Sequence, residues 1–272
     1  ATSDLNLDVN RLLLKDISTF ASFQYRSQPL NFNYHLFQSD FKEYNWSNTN
    51  LVNQNTSSKS VGVSHPKWGN VSAAWSTINN YGFFVNRTPL NSLNKKFKVE
   101  VLQLDKQIDY FKARFNQRLD FGKLSWINNV QYQKVTQEQD LDQILGDPLT
   151  LNVPEWLIRS TLMLTSSIFN KALSFQSGAT FVFFTDYYAD QYNPLLSEFV
   201  TQNNTKIGEY PRIDFFFNAK IKSSRIFIKL ENVSATIEHL INVDTPYDYY
   251  AAPFTPYRDF SIRFGLIWNF FQ

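Results

Sequence analysis

Residues 258–271 read RDFSIRFGLIWNFF, a stretch in which apolar and polar side chains alternate over most of its length. The apolar positions are Phe260, Ile262, Phe264, Leu266, Trp268 and Phe270. The positions between them include Ser261, Arg263, Gly265 and Asn269. Successive side chains of a β-strand point to opposite faces, so this period of two predicts a strand with one apolar and one polar face.

The same alternation recurs upstream in 212–221 and 110–121. In the first of these segments the apolar set is Ile213, Phe215, Phe217, Ala219 and Ile221. Charged and amide side chains occupy most of the intervening positions in both segments. The sequence therefore predicts several strands with the same two-faced character.

Tight-turn candidates recur about every fifty residues, each with a strand pattern on both sides. They lie at Asp16, Gly69, Gly122, Asn170 and Ser223. Longer connections rich in Asn, Pro and Gln separate them, at 28–56, 80–106, 137–154, 188–209 and 234–257. Short turns at one end and long loops at the other are typical of outer-membrane β-barrels, in which the short turns are periplasmic.

This spacing predicts eleven strands. They are expected near 5–14, 17–26, 57–67, 70–79, 107–120, 123–136, 155–168, 171–187, 210–221, 225–233 and 258–271. Bacterial single-chain barrels have an even number of strands. We therefore expect either an unrecognised strand within 30–50 or further strands N-terminal to this sequence. We favour the second alternative, in which residues 1–272 form a single barrel domain that is the C-terminal part of the full protein.

Composition excludes several other classes. The 272 residues include no cysteine, which excludes disulfide frameworks and thiolate sites, and no apolar run approaches the roughly 18 residues of a spanning helix. Charged residues make up 18%, below the roughly 25% of soluble domains, whereas aromatic residues reach 17%. A net charge of +2 gives no reason to expect nucleic acid as a partner.

The alternation alone does not show which face of the strands meets lipid and which face lines the interior. Eight strands already enclose a filled or ligand-sized interior, so about eleven enclose a lumen that is stable only when it is wet. The polar faces would then line water and the apolar faces would meet lipid. The expected fold is all-β, a transmembrane antiparallel β-barrel of about 11–12 strands, and a soluble all-β protein is the alternative.

Several segments resemble a known family, the putative porins of Bacteroidetes outer membranes. These are YNPLLSEF at 192–199, YPRIDFFFNAKIKSSRIFIKLENV at 210–233 and YYAAPFTPYRDFSIRFGLIWNFF at 249–271. The similarity is strongest over about 150–271. It implies an outer-membrane barrel larger than this chain and no catalytic residues.

Charged positions on the polar faces are the candidate pore-lining residues. They are Lys112, Arg114, Arg118, Asp120, Arg159, Arg212, Asp214, Lys220, Arg225, Lys229, Glu231 and Arg263. Basic side chains outnumber acidic ones in this set, and fixed charge sets pore selectivity, which favours anions. The alternative is that the charges pair across neighbouring strands, as Arg212 and Glu231 would, and close a narrow barrel.

Two further sets are predicted. Tryptophans near strand ends suit the aromatic girdles at membrane interfaces, unless they pack in loops or in the lumen: Trp68, Trp75, Trp126, Trp156 and Trp268. The closing strand resembles the C-terminal signal that the barrel assembly machinery recognises, carried here by Phe264, Leu266, Trp268, Phe270 and Phe271.

No constellation points to catalysis, a metal or a cofactor. His35, His65 and His239 are scattered, and the acidic run QEQDLDQILGD at 137–147 lacks the glycine and glutamate positions of a calcium loop. Nucleophile-elbow, P-loop and dinucleotide motifs are missing from the sequence. A barrel enzyme with rim residues remains as a weaker alternative.

The leading hypothesis is an outer-membrane porin through which small solutes diffuse passively. The rivals are an occluded barrel that serves as a structural or docking subunit and an energy-coupled receptor. The Tyr- and Pro-rich segment TPYDYYAAPFTPY at 245–257 would constrict the pore, contact a partner or form a self-packed lid. Expected partners are the lipid bilayer and lipopolysaccharide, the assembly machinery and other outer-membrane proteins.

Overall fold

The computed structural model describes residues 2–14, 16–86, 99–137, 151–170, 172–236 and 250–268. The named elements of these residues are almost all strands. In chain order they are β1 (Ser3–Leu14), β2 (Ile17–Gln28), α1 (Phe32–His35), β3 (Leu36–Phe37), β4 (Trp46–Ser47), β5 (Gln54–His65), β6 (Gly69–Asn79), β7 (Gly82–Asn86), β8 (Val99–Gln103), β9 (Ile108–Phe121), β10 (Leu124–Gln137), β11 (Trp156–Ile168), β12 (Leu173–Phe184), β13 (Gln191–Asn193), β14 (Glu198–Val200), β15 (Arg212–Ile221), β16 (Ser224–Glu231), β17 (Tyr250–Ala252), β18 (Thr255–Pro256) and β19 (Ser261–Trp268). The helical residues that the structure describes form no segment with the length and apolar character of a membrane-spanning helix.

Eleven long strands form one antiparallel sheet. Its order is β1-β2-β5-β6-β9-β10-β11-β12-β15-β16-β19, so every long strand pairs with the next long strand along the chain. In the described residues β1 and β19 each have a ladder on one side only. The eight short strands form four separate two-stranded ladders within the long connections.

Tight turns join the long strands in pairs at one end of the sheet, called here the short-turn end. The turns at 66–68, 122–123 and 222–223 lie between β5 and β6, β9 and β10, and β15 and β16. Gly122 has a φ of 63°, and a Cβ there would meet nothing within 4 Å, so backbone conformation rather than space favours glycine. The long connections all leave from the opposite end, called the long-loop end.

The predicted strands are confirmed, each within a few residues of its expected bounds. The suggestion of a further barrel strand within 30–50 is wrong, because this segment forms α1 and the two-residue strands β3 and β4. Its apolar side chains do not alternate between two sheet faces. Instead Phe37 and Trp46 pack into a cluster formed by the loops.

The buried apolar core lies in the connections at the long-loop end. Its centre consists of Tyr44, Phe84, Val99, Leu196 and Val200. These residues come from the connections 29–53, 80–107 and 185–211, whose described parts are called here the loop cap. The expectation that these connections are simply long polar loops is therefore incomplete.

Hydrogen bonds tie the three connections of the loop cap together. The side-chain amides of Asn31 and Asn33 both donate to Glu198 Oε1 at 2.9 Å. The Thr201 backbone N–H donates to the Phe84 carbonyl at 2.8 Å, beside a parallel bridge between Val85 and Thr201. The cap thus links the connection after β2 to the one after β12, far apart in the order of the sheet.

Candidate functional site

The strand registers place all twelve candidate charged residues on one face of the sheet, the polar face. Directly opposed residues share a face, and alternate residues along a strand return to it. Lys112 lies opposite Gln133, Arg159 opposite Asn129 and Val182, and Val182 opposite Arg212. The same parity continues through Lys229 opposite Arg263 on the last strand.

Large apolar side chains occupy the other face, the apolar face. Those with more than a third of their surface exposed include Val61, Val71, Trp75, Leu162, Phe215, Phe217, Ile228, Ile262, Phe264 and Leu266. Phe264 is 83% exposed. A surface of this composition is unstable in water and is stable against lipid.

Two arginines and three amides form the polar part of a recess whose other lining residues are apolar. Arg114 on β9 and Arg159 on β11 line a recess of about 400 Å³ together with Asn116, Asn129 and Gln131. Arg114 Nε donates to Gln131 Oε1 at 2.7 Å, and this bond fixes the guanidinium across the β9–β10 ladder. This group is called here the cationic recess.

Among the residues that the structure describes, no acidic side chain pairs with the arginines of the cationic recess. In the residues that the structure describes, neither Arg114 nor Arg159 forms an ion pair, and neither does Lys112, two positions from Arg114 on the same face. Amide side chains can orient around a bound anion, since their N–H groups donate hydrogen bonds. The arrangement is therefore suited to a transient anion contact and not to proton transfer.

The other charges of the polar face form an alternating chain over β15, β16 and β19. Asp214 lies 3.5 Å from both Arg212 Nε and Lys229 Nζ. Glu231 lies 2.7 Å from Lys229 Nζ and 2.9 Å from Arg263 Nε. The expected alternative of cross-strand pairing applies to this part of the face, although Arg212 pairs with Asp214 and not with Glu231.

The last long connection reaches this charge chain. Tyr257 accepts a hydrogen bond from Arg212 Nη1 through its hydroxyl, and its ring centre lies 5.1 Å from the guanidinium carbon. Asp214 also accepts the Asn232 backbone N–H at 2.9 Å. Within the segment 245–257, residues 245–249 lie outside the described residues.

The remaining charged candidates lie toward the short-turn end. Lys220 is directly opposite Arg225, with Ser174 opposite Lys220 on the other side. Arg118 pairs with Asp120 at 3.1 Å, and the Ser125 hydroxyl donates to the same carboxylate. Like charges opposite one another are unfavourable in a sheet, and neither Lys220 nor Arg225 forms an ion pair within the described residues.

Aromatic side chains fall into two bands on the sheet. Trp75, Phe111, Tyr132 and Trp156 form a continuous row across four strands toward the long-loop end, with ring centres 4.9–6.2 Å apart. The other candidate tryptophans lie at the short-turn end: Trp68, Trp126 and Trp268. The exposed fractions of the five candidate tryptophans run from 42% to 62%.

Of the residues expected to form an assembly signal, three are described. Phe264, Leu266 and Trp268 all lie on the apolar face of β19 and are exposed. Phe270 and Phe271 lie outside the described residues, as do His239 and most of the acidic run 137–147. No group of three or more His, Asp or Glu side chains within the described ranges could hold a metal ion.

The sequence did not reveal the polar centre of the loop cap. Asp190 lies there with Tyr34, Tyr81 and Tyr187 close enough to interact electrostatically. Burial raises the pKa of Asp190, although a hydrogen bond from Thr201 lowers it in part. Burial, with a contribution from Asp190, raises the pKa of Tyr81 to about 12. The FFV run at 83–85, apolar in an otherwise polar connection, was the available signal.

An eleven-stranded antiparallel meander with an apolar outer surface and a charged opposite face defines the class of outer-membrane β-barrel proteins. A family model described as "Putative porin" matches residues 1–272, and the chain belongs to that family. The protein is therefore a porin-like protein of the outer membrane. No curated protein matches the sequence.

Solved structures with the same fold include three receptors and transporters. The ferric enterobactin receptor PfeA of Pseudomonas aeruginosa has 12% identity and a TM-score of 0.60, with 97% of this chain and 40% of that chain covered. The siderophore receptor PirA from Pseudomonas aeruginosa has 12% identity and a TM-score of 0.53, with 85% and 38% covered. The FrpB iron transporter from Neisseria meningitidis has 15% identity and a TM-score of 0.53, with 85% and 34% covered. The chain thus spans about two fifths or less of the length of these structures.

Proposed function

We propose that the protein is a channel through which small solutes diffuse passively across the outer membrane, with a preference for anions. The observation that carries the proposal is the cationic recess, in which Arg114 and Arg159 share one face without an acidic partner in the described residues. The proposal has the polar face lining water, because charged side chains are costly against lipid. It includes no catalytic step.

Charge on the polar face would act on solutes at short range. Fixed cations in a narrow aqueous path raise the local concentration of anions and repel cations. The Arg212–Asp214–Lys229–Glu231–Arg263 chain is nearly neutral by comparison, since its charges alternate in sign. Selectivity should therefore depend on Arg114 and Arg159 more than on Arg263.

Reversal potentials in a salt gradient test the proposal, with the full-length protein in planar bilayers. We expect anion selectivity, and we expect the Arg114→Gln/Arg159→Gln double variant to shift the reversal potential toward zero. The matched control, Lys67→Gln/Lys123→Gln, removes the same charge from two exposed tight turns and should leave selectivity unchanged. Cation selectivity, or no conductance at all, would contradict the proposal.

The loop cap favours a second candidate, an occluded barrel that serves as a docking subunit. Three connections share one buried cluster around Phe84, which is 1% exposed, and so present a fixed surface at the long-loop end. Solute flux into proteoliposomes separates the two candidates. An occluded subunit would show no flux and would purify with partner proteins in a fixed ratio.

A further inference from the structure

Four side chains on the apolar face form a single row across four neighbouring strands. Lys59 lies directly opposite Trp75, Trp75 opposite Phe111, and Phe111 opposite Lys134. The Trp75 and Phe111 ring centres are 5.2 Å apart. Two aromatic rings are therefore flanked on both sides by a lysine at the same height of the sheet.

This row marks a boundary on the apolar face. The next row toward the long-loop end is polar, with Ser57 opposite Thr77, Thr77 opposite Asp109 and Asp109 opposite Thr136. The next row toward the short-turn end is apolar and begins with Val61 opposite Ala73. In outer-membrane barrels the long loops are extracellular, so the boundary lies at the headgroup level of the outer leaflet.

The two lysines have no charge partner in the part of the chain that the structure describes. Neither ammonium group forms an ion pair or a hydrogen bond there, and both residues are exposed. Asp109, which is the one acidic residue among the described residues of the same groove, accepts a hydrogen bond from Gln107 Nε2 at 2.7 Å. The groove between the lysines therefore has a positive balance.

The dimensions of the groove fit more than one phosphate. Lys59 and Lys134 are separated by three strand spacings, about 14 Å along the sheet. The groove has a volume of about 270 Å³, and Trp75 and Phe111 form part of its lining. Cationic side chains at either end and flat apolar rings between them match a ligand with phosphates in its headgroup and acyl chains below it.

We propose that this groove, called here the headgroup groove, binds a phosphorylated glycolipid of the outer leaflet. Lys59 and Lys134 contact its phosphates, and Trp75 and Phe111 support its acyl chains. Basic residues beside a membrane interface bind anionic headgroups in this way. The proposal rests on the position of the apolar face in the membrane and does not depend on the channel function.

Lipid retention tests the proposal. The probe is diphosphorylated lipid A, added in mixed micelles to the delipidated full-length protein and counted by native mass spectrometry. Dephosphorylated lipid A and inorganic phosphate are the comparison ligands. The Lys59→Gln/Lys134→Gln variant should bind lipid A about 30-fold more weakly, because each lysine near a charged surface contributes measurably to affinity. The Lys67→Gln/Lys123→Gln control should bind like the wild type.

The comparison ligands identify the source of the phosphate. Weak binding of dephosphorylated lipid A and of inorganic phosphate would support the headgroup groove. The proposal would be overturned if the Lys59→Gln/Lys134→Gln variant bound lipid A as tightly as the Lys67→Gln/Lys123→Gln control. Equal affinity of the wild type for the dephosphorylated lipid, or saturation of the same lysines by inorganic phosphate alone, would also overturn it.

Discussion

Phe227 lies directly opposite Gly265 across the β16–β19 ladder, and its ring covers the space above that glycine. A Cβ at Gly265 would stand 2.3 Å from Cε1 of the Phe227 ring. The same relationship joins Phe20 to Gly62, with a separation of 2.3 Å. An aromatic ring over a glycine of the neighbouring strand covers backbone that would otherwise be exposed on the polar face.

Gly265→Ala should destabilise the barrel, because the Phe227 ring would have to leave its position. Overpacking of this kind costs about 1–3 kcal/mol in the free energy of unfolding. Urea unfolding of the detergent-solubilised protein measures the change. In a Phe227→Ala background the same substitution should cost little. Additive effects of the two substitutions would show that the ring contact does not matter.

Asp214→Asn should weaken the alternating charge chain. Asp214 is 4% exposed and faces Arg212 and Lys229. Its neutralisation removes the carboxylate that pairs with the partly buried Arg212 and leaves Lys229 with Glu231 as its acidic partner. We expect a loss of about 2 kcal/mol in unfolding free energy. Asp4→Asn is the control, because the Asp4–Arg26 pair is half exposed and should contribute under about 1 kcal/mol. Equal losses of unfolding free energy for both substitutions would show that burial of the ion pair does not determine its contribution to stability.

Acidic pH should tighten the loop cap through Asp190. Because burial raises the pKa of this carboxyl, its neutral form is favoured in the folded cap. The associated stability is complete below the ordinary pKa of aspartate and is lost as pH rises through the raised value. Hydrogen exchange in 190–201 should be better protected at about pH 4 than at about pH 7, after correction for intrinsic rates.

Asp190→Asn should remove this pH dependence and keep the protection at neutral pH. Asp40→Asn, which changes an exposed carboxyl of the same cap, is the matched control and should behave like the wild type. A pH dependence that persists in Asp190→Asn would assign the effect to another group.

Phe84→Ala should loosen the loop cap and, if the cap narrows the entrance, increase solute flux. Phe84 is almost fully buried between the three connections, and truncation of such a ring costs about 3 kcal/mol or more. Proteoliposome swelling with sugars of increasing size measures the entrance. Phe41→Ala, which truncates an exposed ring in the same cap, should change nothing. Faster proteolysis of the cap without increased swelling would show that the cap does not limit entry.

The strands were predictable because each one has two environments. Alternation in segments such as 212–221 and 258–271 follows directly from one face toward lipid and one toward polar groups. The tight turns were predictable from turn-forming residues such as Gly122. The residues of the polar face were predictable because they occupy alternate positions along each strand. All twelve candidates lie on the polar face, although charge alone does not decide the face, because Lys59 and Lys134 lie on the apolar one.

The loop cap was not predictable in the same way. Its packing brings together residues far apart in sequence, such as Tyr44 and Leu196 in one buried cluster, and no periodic pattern encodes this. The sequence also did not predict which acidic side chain pairs with which basic side chain. Asp214 pairs with Arg212 because the two are alternate residues of β15 on one face, whereas Glu231 pairs with Lys229 and Arg263.

The hydrogen bond between Asn31 and Glu198 joins positions 167 residues apart. Loop-closure entropy rises with sequence separation, so contacts of this kind form more slowly than local ones. Until the connection after β12 is in place, Phe84 and Tyr44 lack the part of the cluster that this connection contributes. A chain in which β12 has not yet paired therefore exposes aromatic surface that the finished fold buries.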